Sequence, residues 1–439
     1  MDIETARWLV SPEAAPYIAQ VHEFDDPSSL KAGTALRQEL SPEKAAAVAD
    51  LESLRRKGTG KLGDIAQRLF LTHDGLEQAT RFPVAQWRAK KIATMANRVI
   101  DAGCGLGIDA LAARMAGMEV VGIEKDPVTA VFAGANMGTV EGPEYEVHTG
   151  TVEDIDWESD PPDNEHMTSE DLQLMWRSCL RQDDTRERQD SFVRSAGRES
   201  GIVGLTNPDS HPAIYLDPSR RTAHGRSWNV EDLSPSWEFV LDILHNVRNP
   251  VVVKLAPGFP RRLLPADVDI TLVSHKRNLV ETTLWSWPGM TGLRQAVILN
   301  DSESDLLAGP PPPPPGPVGA YILEPDPAVI RAGAIGALAQ MTGTHPIADS
   351  IAYLTGPEPI PTPFATAFEI LDTLPFSDKE IRAWVRRENI GVLEIKQRGL
   401  DIDPATFRRT LKLKGDKTAT IICTPTSAGA AAFVVQRTL

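Results

Sequence analysis

The stretch Arg98–Ala113, "RVIDAGCGLGIDALAA", decides the fold. Val99 and Ile100 lead into Asp101, glycines follow at 103, 105 and 107, and from Ile108 the apolar residues recur at helical spacing. A strand that passes through glycines directly into a helix opens a parallel α/β sheet, and the missing Cβ atoms let the backbone come close to a ligand. The third glycine comes one residue too early for the dinucleotide fingerprint, and Ile108 stands where that glycine belongs. Asp101 ends the strand two residues before the first glycine, where its carboxylate repels a pyrophosphate and attracts an ammonium or a sulfonium. Glu124 ends the next strand, about twenty residues on, where an acid accepts hydrogen bonds from ribose hydroxyls.

Outward from this loop the β/α alternation continues through "EVVGIEKD", a helix near 128–137 and "YEVHTG". After an interruption come "AIYLDP", the helix "SWEFVLDILHNV" and "PVVVKLAPG". "NLVETTLWSW" and "RQAVILN" then follow one another without a helix, which predicts an antiparallel hairpin at one edge of a mostly parallel sheet. Upstream, Thr5 to about Ala93 carries helical spacing with start signals "SPEAA" and "SPEKA", in which Ser caps and Pro fills the first turn.

The whole chain sets the bounds. Its 439 residues, 41% hydrophobic, suffice for two or three domains. A net charge of -15 excludes nucleic-acid binding over the entire surface and confines any polyanion contact to a patch. Cys104, Cys179 and Cys423 lie far apart without a CxxC spacing, which speaks against zinc and disulfides and for a reducing, cytoplasmic setting. The acidic N-terminus is unlike a signal peptide, and no apolar run approaches the roughly 18 residues of a membrane span. No metal and no membrane contact are expected.

Two segments break the pattern. Residues 158–201 are rich in Asp, Glu and Arg and read as a solvated insertion, partly helical or disordered. "GPPPPPPGPVG", residues 309–319, reads as a polyproline linker of roughly 19 Å between folded segments. The expected domains are therefore a helical region 1–95, a core 96–308, the linker, and a small α+β domain 320–439. In the last, "ATAFEILDTL" and "IGVLEIKQRG" read as strands, "SDKEIRAWVRREN" and "DPATFRRTLKL" as helices, and "TATIICTPTSAGAAAFVVQR" as a hairpin. Lys396, Arg398, Arg408, Arg409, Lys412, Lys414 and Lys417 cluster there, either as solvated helix faces or as a phosphate-backbone surface.

An adenosine ligand that is cationic at its far end is S-adenosylmethionine, and "DAGCGLG" resembles the first motif of the class I S-adenosylmethionine-dependent methyltransferases. The resemblance implies a Rossmann-like core with a seven-stranded, mostly parallel sheet, and it assigns cofactor contacts to Asp101, Gly103, Gly105, Gly107 and Glu124. In the family's third motif, here "GTVEDI", Thr151 stands where an aspartate is expected, so the adenine contact passes to Glu153 or Asp154. The leader "LFLTHDGLEQATRFPVAQWRAKKI", the "DPSRR" turn, "VVVKLAPG" and "GVLEIKQRG" resemble bacterial methyltransferases with a THUMP-like C-terminal domain, and the core is more distantly similar to trimethylguanosine synthase. This resemblance implies RNA as substrate, and a leader that closes over the cofactor with Gln78 as a contact.

Counted along the sheet, "AIYLDPSRR" is the fourth strand, and its end lies at the switch point beside the glycine loop. Amine-directed members carry Asp/Asn-Pro-Pro-aromatic there; this chain keeps Asp217 and Pro218 and has Ser219, Arg220 and Arg221 after them. Asp217 is expected to orient the nucleophile or accept its proton. Arg220 and Arg221 either contact a substrate phosphate or pair with Asp217 and the acidic insertion. Lys254 and Glu281 stand out without an assigned role, and Cys104 reads as a small buried residue. The expected activity is methyl transfer to a tRNA or rRNA nucleotide, with two alternatives: a small-molecule or protein substrate, or a non-catalytic RNA-binding protein with a vestigial pocket.

Overall fold

Ser41 and Pro42 begin the longest helix as their order predicts: the Ser41 hydroxyl accepts from the Lys44 amide and Pro42 occupies the first turn. "SPEAA" behaves differently. Its Ser11 hydroxyl donates instead to the Trp8 carbonyl at 2.7 Å, and the next helix starts only at Ala15, without a side-chain cap. The computed structural model describes residues 1–155, 211–220, 230–287, 290–300 and 302–438. The acidic insertion 158–201, Cys179 and Arg221 lie outside them. The chain forms two compact units: Met1–Leu255 with Phe259–Leu264 and Leu284–Met290, and Ala256–Gly258 with Pro265–Thr283 and Thr291–Leu439.

In the first unit the leader comprises α1 (Ile3–Leu9), α2 (Ala15–His22), α3 (Leu30–Leu36), α4 (Pro42–Leu62), α5 (His73–Gln78) and α6 (Phe82–Ile92). Val48, Leu51 and Leu54 of α4 are buried at helical spacing and seat the bundle. The core follows as β1 (Arg98–Ala102), α7 (Ile108–Met115), β2 (Glu119–Glu124), α8 (Pro127–Met137), β3 (Tyr145–Thr149), β4 (Ala213–Leu216), the short pair β5 (Ser219–Arg220) and β6 (Leu233–Ser234), α9 (Trp237–Asn246) and β7 (Val251–Leu255). The parallel order is β3-β2-β1-β4-β7, so the chain reverses its direction of winding at β1. Near-continuous apolar runs such as "VVV" of β7 match strands covered on both faces. Register then positions the chemistry: Ala102 stands opposite Leu216 and Ile123, and Leu216 opposite Val253. Asp217, Glu124 and Lys254 therefore all lie at the carboxyl ends of neighbouring strands.

The second unit opens with β8 (Asp269–His275), β9 (Asn278–Ser286, its last residues in the first unit), β10 (Arg294–Leu299) and β11 (Glu303–Leu307). The expected hairpin of "NLVETTLWSW" with "RQAVILN" does not form. Instead β10 runs parallel to β8 and antiparallel to β11, because "DITLVSH", absent from the expected strands, is itself a strand. Among the described residues the core strands β1–β4 and β7–β11 number nine, against the seven expected.

Beyond them come β12 (Tyr321–Pro325), α10 (Pro327–Ala332), α11 (Ile335–Thr342), β13 (His345–Pro346), β14 (Leu354–Gly356), β15 (Ala365–Pro375), α12 (Asp378–Arg387), β16 (Ile390–Gln397), α13 (Pro404–Leu411), β17 (Lys417–Thr426) and β18 (Gly429–Arg437). Their sheet runs β13-β14-β12-β15-β18-β17-β16. Alternation splits its side chains into two cores: Leu393, Ile395 and Ile421 pack with Trp384 and Phe407 of α12 and α13, and Ile422, Phe433 and Phe368 pack on the other face. The six prolines are not a spacer between units. They lie inside the second unit, and a Cβ on Gly336 of α11 would stand 1.8 Å from the Pro310 carbonyl oxygen, so glycine lets them pack on that helix.

Candidate active site

The loop after β1 depends on its glycines. Gly103, Gly105 and Gly107 have φ of 91°, 54° and 72°, which side chains tolerate poorly. A Cβ at Gly107 would press on Ala133 at 3.3 Å, whereas at Gly103 and Gly105 it would meet nothing within 4 Å, leaving open space above the loop. The amides do not face that space as free donors. Those of Gly103 and Cys104 both donate to the Ile123 carbonyl at 2.9 Å, that of Gly105 to Glu124 Oε2 at 2.9 Å, and that of Gly107 to the Cys104 carbonyl at 2.8 Å. A phosphate, which is held by converging N–H groups, finds these four already used. Glu124, buried, also accepts from the Asp126 amide at 2.9 Å, so both its oxygens are fixed, each with acceptor capacity left for a ribose hydroxyl.

Asp101 is 2% exposed, and its Oδ2 has no hydrogen-bond partner. It lines a small pocket with Arg88 of α6, Asp109 of α7 and Tyr215 of β4. Burial raises its pKa well above the usual carboxylate range; the Asp109 and Asp217 charges add to this, and Arg88 and Lys254 oppose it. Burial thus works against the negative charge read from the sequence, and an approaching cation works for it. Arg88, 1% exposed, pairs with Asp109 and stacks over the Tyr215 ring at 4.9 Å. Burial raises the pKa of Asp109, but the Arg88 and Lys254 charges and the Thr80 hydroxyl, donating at 2.8 Å, outweigh it and leave Asp109 low. Cys104 is buried and its thiol is pushed well up by burial and by Asp101 and Glu124, as expected of an inert packing residue.

The leader rests on the loop. A Cβ on Gly75 of α5 would stand 2.5 Å from the Leu106 side chain. Asn136 of α8, fully buried, binds both: its Nδ2 donates to the Phe70 and Leu106 carbonyls at 2.9 Å each, and its Oδ1 accepts from the Phe70 amide at 2.6 Å. Asn136→Leu leaves those buried backbone groups unpaired. At about 1–3 kcal/mol for an unsatisfied group, a loss of roughly 3 kcal/mol is expected in urea unfolding, together with faster proteolysis of the leader. Gln78 ends α5 and is exposed.

Asp217 follows β4 directly, and the Leu216–Val253 register sets Lys254 beside it; Lys254 Nζ and Asp217 Oδ2 form a close ion pair, 14% and 31% exposed. Lys254, not an arginine, is thus the partner shown for Asp217 among the described residues. Pro218 is buried and Ser219 exposed; the Arg220 backbone pairs with Leu233, and its side chain lies outside the described residues. In the third motif the Gly150 amide donates to the Glu124 carbonyl at 3.0 Å, which ties the turn Val152–Asp154 to the end of β2. Glu153 is exposed there, and the Asp154 side chain is outside the described residues.

The basic residues of the second unit do not form one cluster. Lys396 and Arg398 fall on the sheet face away from α12 and α13, where Lys396 pairs with Glu324 at 2.9 Å and Arg398 stacks on Tyr353 at 5.3 Å. Arg408 and Arg409 on α13, with Lys412, Lys414 and Lys417 after it, are exposed, and Arg386 and Arg387 of α12 are exposed as well. Sequence reasoning missed Arg386, Arg387, Arg88 and Asn136. The signal for the last two was a polar residue placed on the buried face of an otherwise apolar helix. Among the described residues no group of three or more His, Cys, Asp or Glu could hold a metal, and no helix is long and apolar enough to cross a membrane.

Comparison with known proteins bears on both units. A family described as THUMP domain-like matches residues 365–437, and a domain of unknown function matches residues 2–58. A protein of Mycobacterium tuberculosis, named as an uncharacterized S-adenosylmethionine-dependent methyltransferase, is 29% identical over 394 residues, covering 87% of this chain and 93% of its own. A solved chain from Porphyromonas gingivalis W83, assigned as a methyltransferase, superposes with a TM-score of 0.71 at 19% identity, covering 97% of this chain and 98% of that one. The fold is thus that of the methyltransferases, and the C-terminal segment is THUMP-like.

Proposed function

We propose that this chain, an S-adenosylmethionine-dependent methyltransferase with a THUMP-like C-terminal segment, methylates a nucleotide of RNA. The RNA part of this reading rests on one observation: a protein of net charge -15 exposes Arg386, Arg387, Arg408, Arg409, Lys412 and Lys414 together on the helices and following loop of the segment that matches a THUMP-like domain. Local positive charge against an overall negative field is the footprint of a phosphate backbone held at one place.

The residues of the first unit suit the cofactor. The open space over Gly103 and Gly105, the unpaired buried Asp101 Oδ2 and the fixed Glu124 carboxylate would hold the methionine ammonium and the ribose. The bound cofactor supplies a methyl on a cationic sulfur whose leaving group is neutral, so the protein's work is alignment more than acid–base chemistry. Asp217 performs it. Lys254 holds one carboxylate oxygen and leaves the other to accept a hydrogen bond from the target group, which turns the nucleophile's lone pair toward the methyl.

Mass spectrometry of modified nucleosides from cells with and without the gene is expected to show one methylated nucleoside missing in its absence. For binding, whole-chain charge variants are preferred to truncation within the second unit. Arg408→Glu with Arg409→Glu is expected to weaken the complex with total RNA and to flatten its salt dependence by about one unit of slope for each phosphate no longer neutralised. Unchanged RNA binding with unchanged nucleoside content sends the assignment to a small-molecule or protein substrate.

A further inference from the structure

Two carboxylates and one guanidinium face the same small pocket at the end of β1. Asp101 of β1 and Asp109 of α7 line it together with Arg88 of α6 and Tyr215 of β4, and Arg88 is the one cation among the described residues that line it. Asp101 and Tyr215 are direct partners in the β1–β4 register, so their side chains leave the sheet on the same face, one strand spacing of about 4.8 Å apart. The Arg88 guanidinium lies 4.9 Å from the centre of the Tyr215 ring and so stands next to the strand that carries Asp101.

The leader commits that cation to one of the two acids. Arg88 Nη2 pairs with Asp109 Oδ1, and the Thr80 hydroxyl donates to Asp109 Oδ2 at 2.8 Å, so residues of the leader hold both oxygens of Asp109. Asp101 Oδ2 has no hydrogen-bond partner among the described residues. Two carboxylates that share a poorly hydrated pocket oppose each other's charge, and a guanidinium bound to one of them cancels that opposition. The titration of Asp101 agrees: after burial, Asp109 and Asp217 push its pKa up, and Arg88 and then Lys254 push it down. Tyr215 and Cys104, whose own pKa values burial pushes well up, stay neutral beside it. We infer that Arg88 is a positioning residue of the cofactor site: by holding Asp109 it leaves Asp101 as the carboxylate that takes the methionine ammonium. The inference rests on the methyltransferase reading, which supplies that ammonium. It makes the leader a contributor to the charge that the core presents to its cofactor.

The test compares the full chain as wild type, Arg88→Met, Asp109→Asn and the double variant; Glu124, Asp217 and Lys254, at the ends of neighbouring strands, are the same in all four. Two quantities are followed across pH: affinity for S-adenosylmethionine by calorimetry, and the titration of the Asp101 carboxyl in the free protein by carbon NMR, its signal assigned with Asp101→Asn. In Arg88→Met the uncompensated charge of Asp109 is expected to move the Asp101 midpoint up and to lower affinity about tenfold at pH values below it. Asp109→Asn keeps the shape of the contact and removes its charge, so the guanidinium acts on Asp101 uncompensated. Its midpoint is then expected to move down, and affinity below the wild-type midpoint to rise several-fold. The double variant, with both charges gone, returns toward wild type in both measurements. If Arg88 serves only to pack the leader, both single variants melt earlier and the Asp101 midpoint stays in place, which overturns the inference. Should Arg88→Met fail to fold, Asp109→Asn decides alone, since tighter binding is not a consequence of damage. An Asp101 midpoint in Asp109→Asn equal to that of wild type overturns the inference and leaves the methyltransferase reading intact. A wild-type chain that ignores S-adenosylmethionine overturns that reading and the inference with it.

Discussion

Asparagine in place of Asp101 is expected to weaken S-adenosylmethionine binding by roughly 10- to 150-fold. That range corresponds to the 1.5–3 kcal/mol of a hydrogen bond to a charged group. The change keeps size and shape, so the melting temperature should stay level or rise, because a buried acid without a partner on Oδ2 is replaced by an uncharged amide. A second signature is pH dependence. The Asp101 pKa is raised well above the ordinary range, chiefly by burial and then by Asp109 and Asp217. At pH values below that raised pKa the free protein carries the proton, and a bound ammonium, which needs the carboxylate, expels it. Affinity should therefore rise with pH up to the raised pKa and level off above it. Calorimetry in two buffers of different ionisation enthalpy should detect the released proton in wild type and none from this group in Asp101→Asn. Equal affinity of the two proteins, with no proton released, would falsify the role given to Asp101.

The second large effect concerns the transfer step. Asp217→Ala is expected to reduce methyl transfer to total RNA by a factor on the order of 10³, while cofactor affinity changes little, because the hydrogen bond removed is one to the nucleophile. Lys254→Met should act in the same direction but less, about 10- to 100-fold on kcat, since the carboxylate remains but is no longer held in place. Lys254→Arg can re-form the ion pair with different geometry, and an intermediate rate is expected. A radiolabel assay at saturating cofactor measures all three. A Lys254→Met enzyme as fast as wild type would mean that Asp217 needs no orientation by that strand.

The glycine loop and the Asp217 turn are legible in the sequence because both are local: a strand, a turn and a helix start within a few residues, each with its own residue signature. What the loop amides do is not legible there. Their partners, the Ile123 carbonyl and Glu124, come from the next strand, and only the fold shows that these donors are used internally. Lys254 stands out in the sequence but acquires its role only from the β4–β7 register, which sets it against Asp217. What Asn136 binds is not legible in the sequence, because its bonds run to Phe70 and Leu106 in two distant segments. The basic run around β16 misleads for a geometric reason: the twofold period of a strand places Lys396 on the face opposite Leu393 and Ile395, away from Arg408 and Arg409 on α13. The prolines mislead because composition predicts their stiffness and says nothing of Gly336, which receives them.

Trp285 ties the two ends of the first unit together in time as well as in space. It is completely buried, and it meets Trp87 of the leader edge to face with ring centres 6.0 Å apart, although the ribosome makes it roughly two hundred residues later. At roughly 5–20 residues per second, the nascent leader waits on the order of ten to forty seconds with one side of the Trp87 indole uncovered. Folding of the first unit cannot be completed vectorially from its amino end, and the half-made polypeptide presents a greasy surface for which a chaperone is the natural temporary cover.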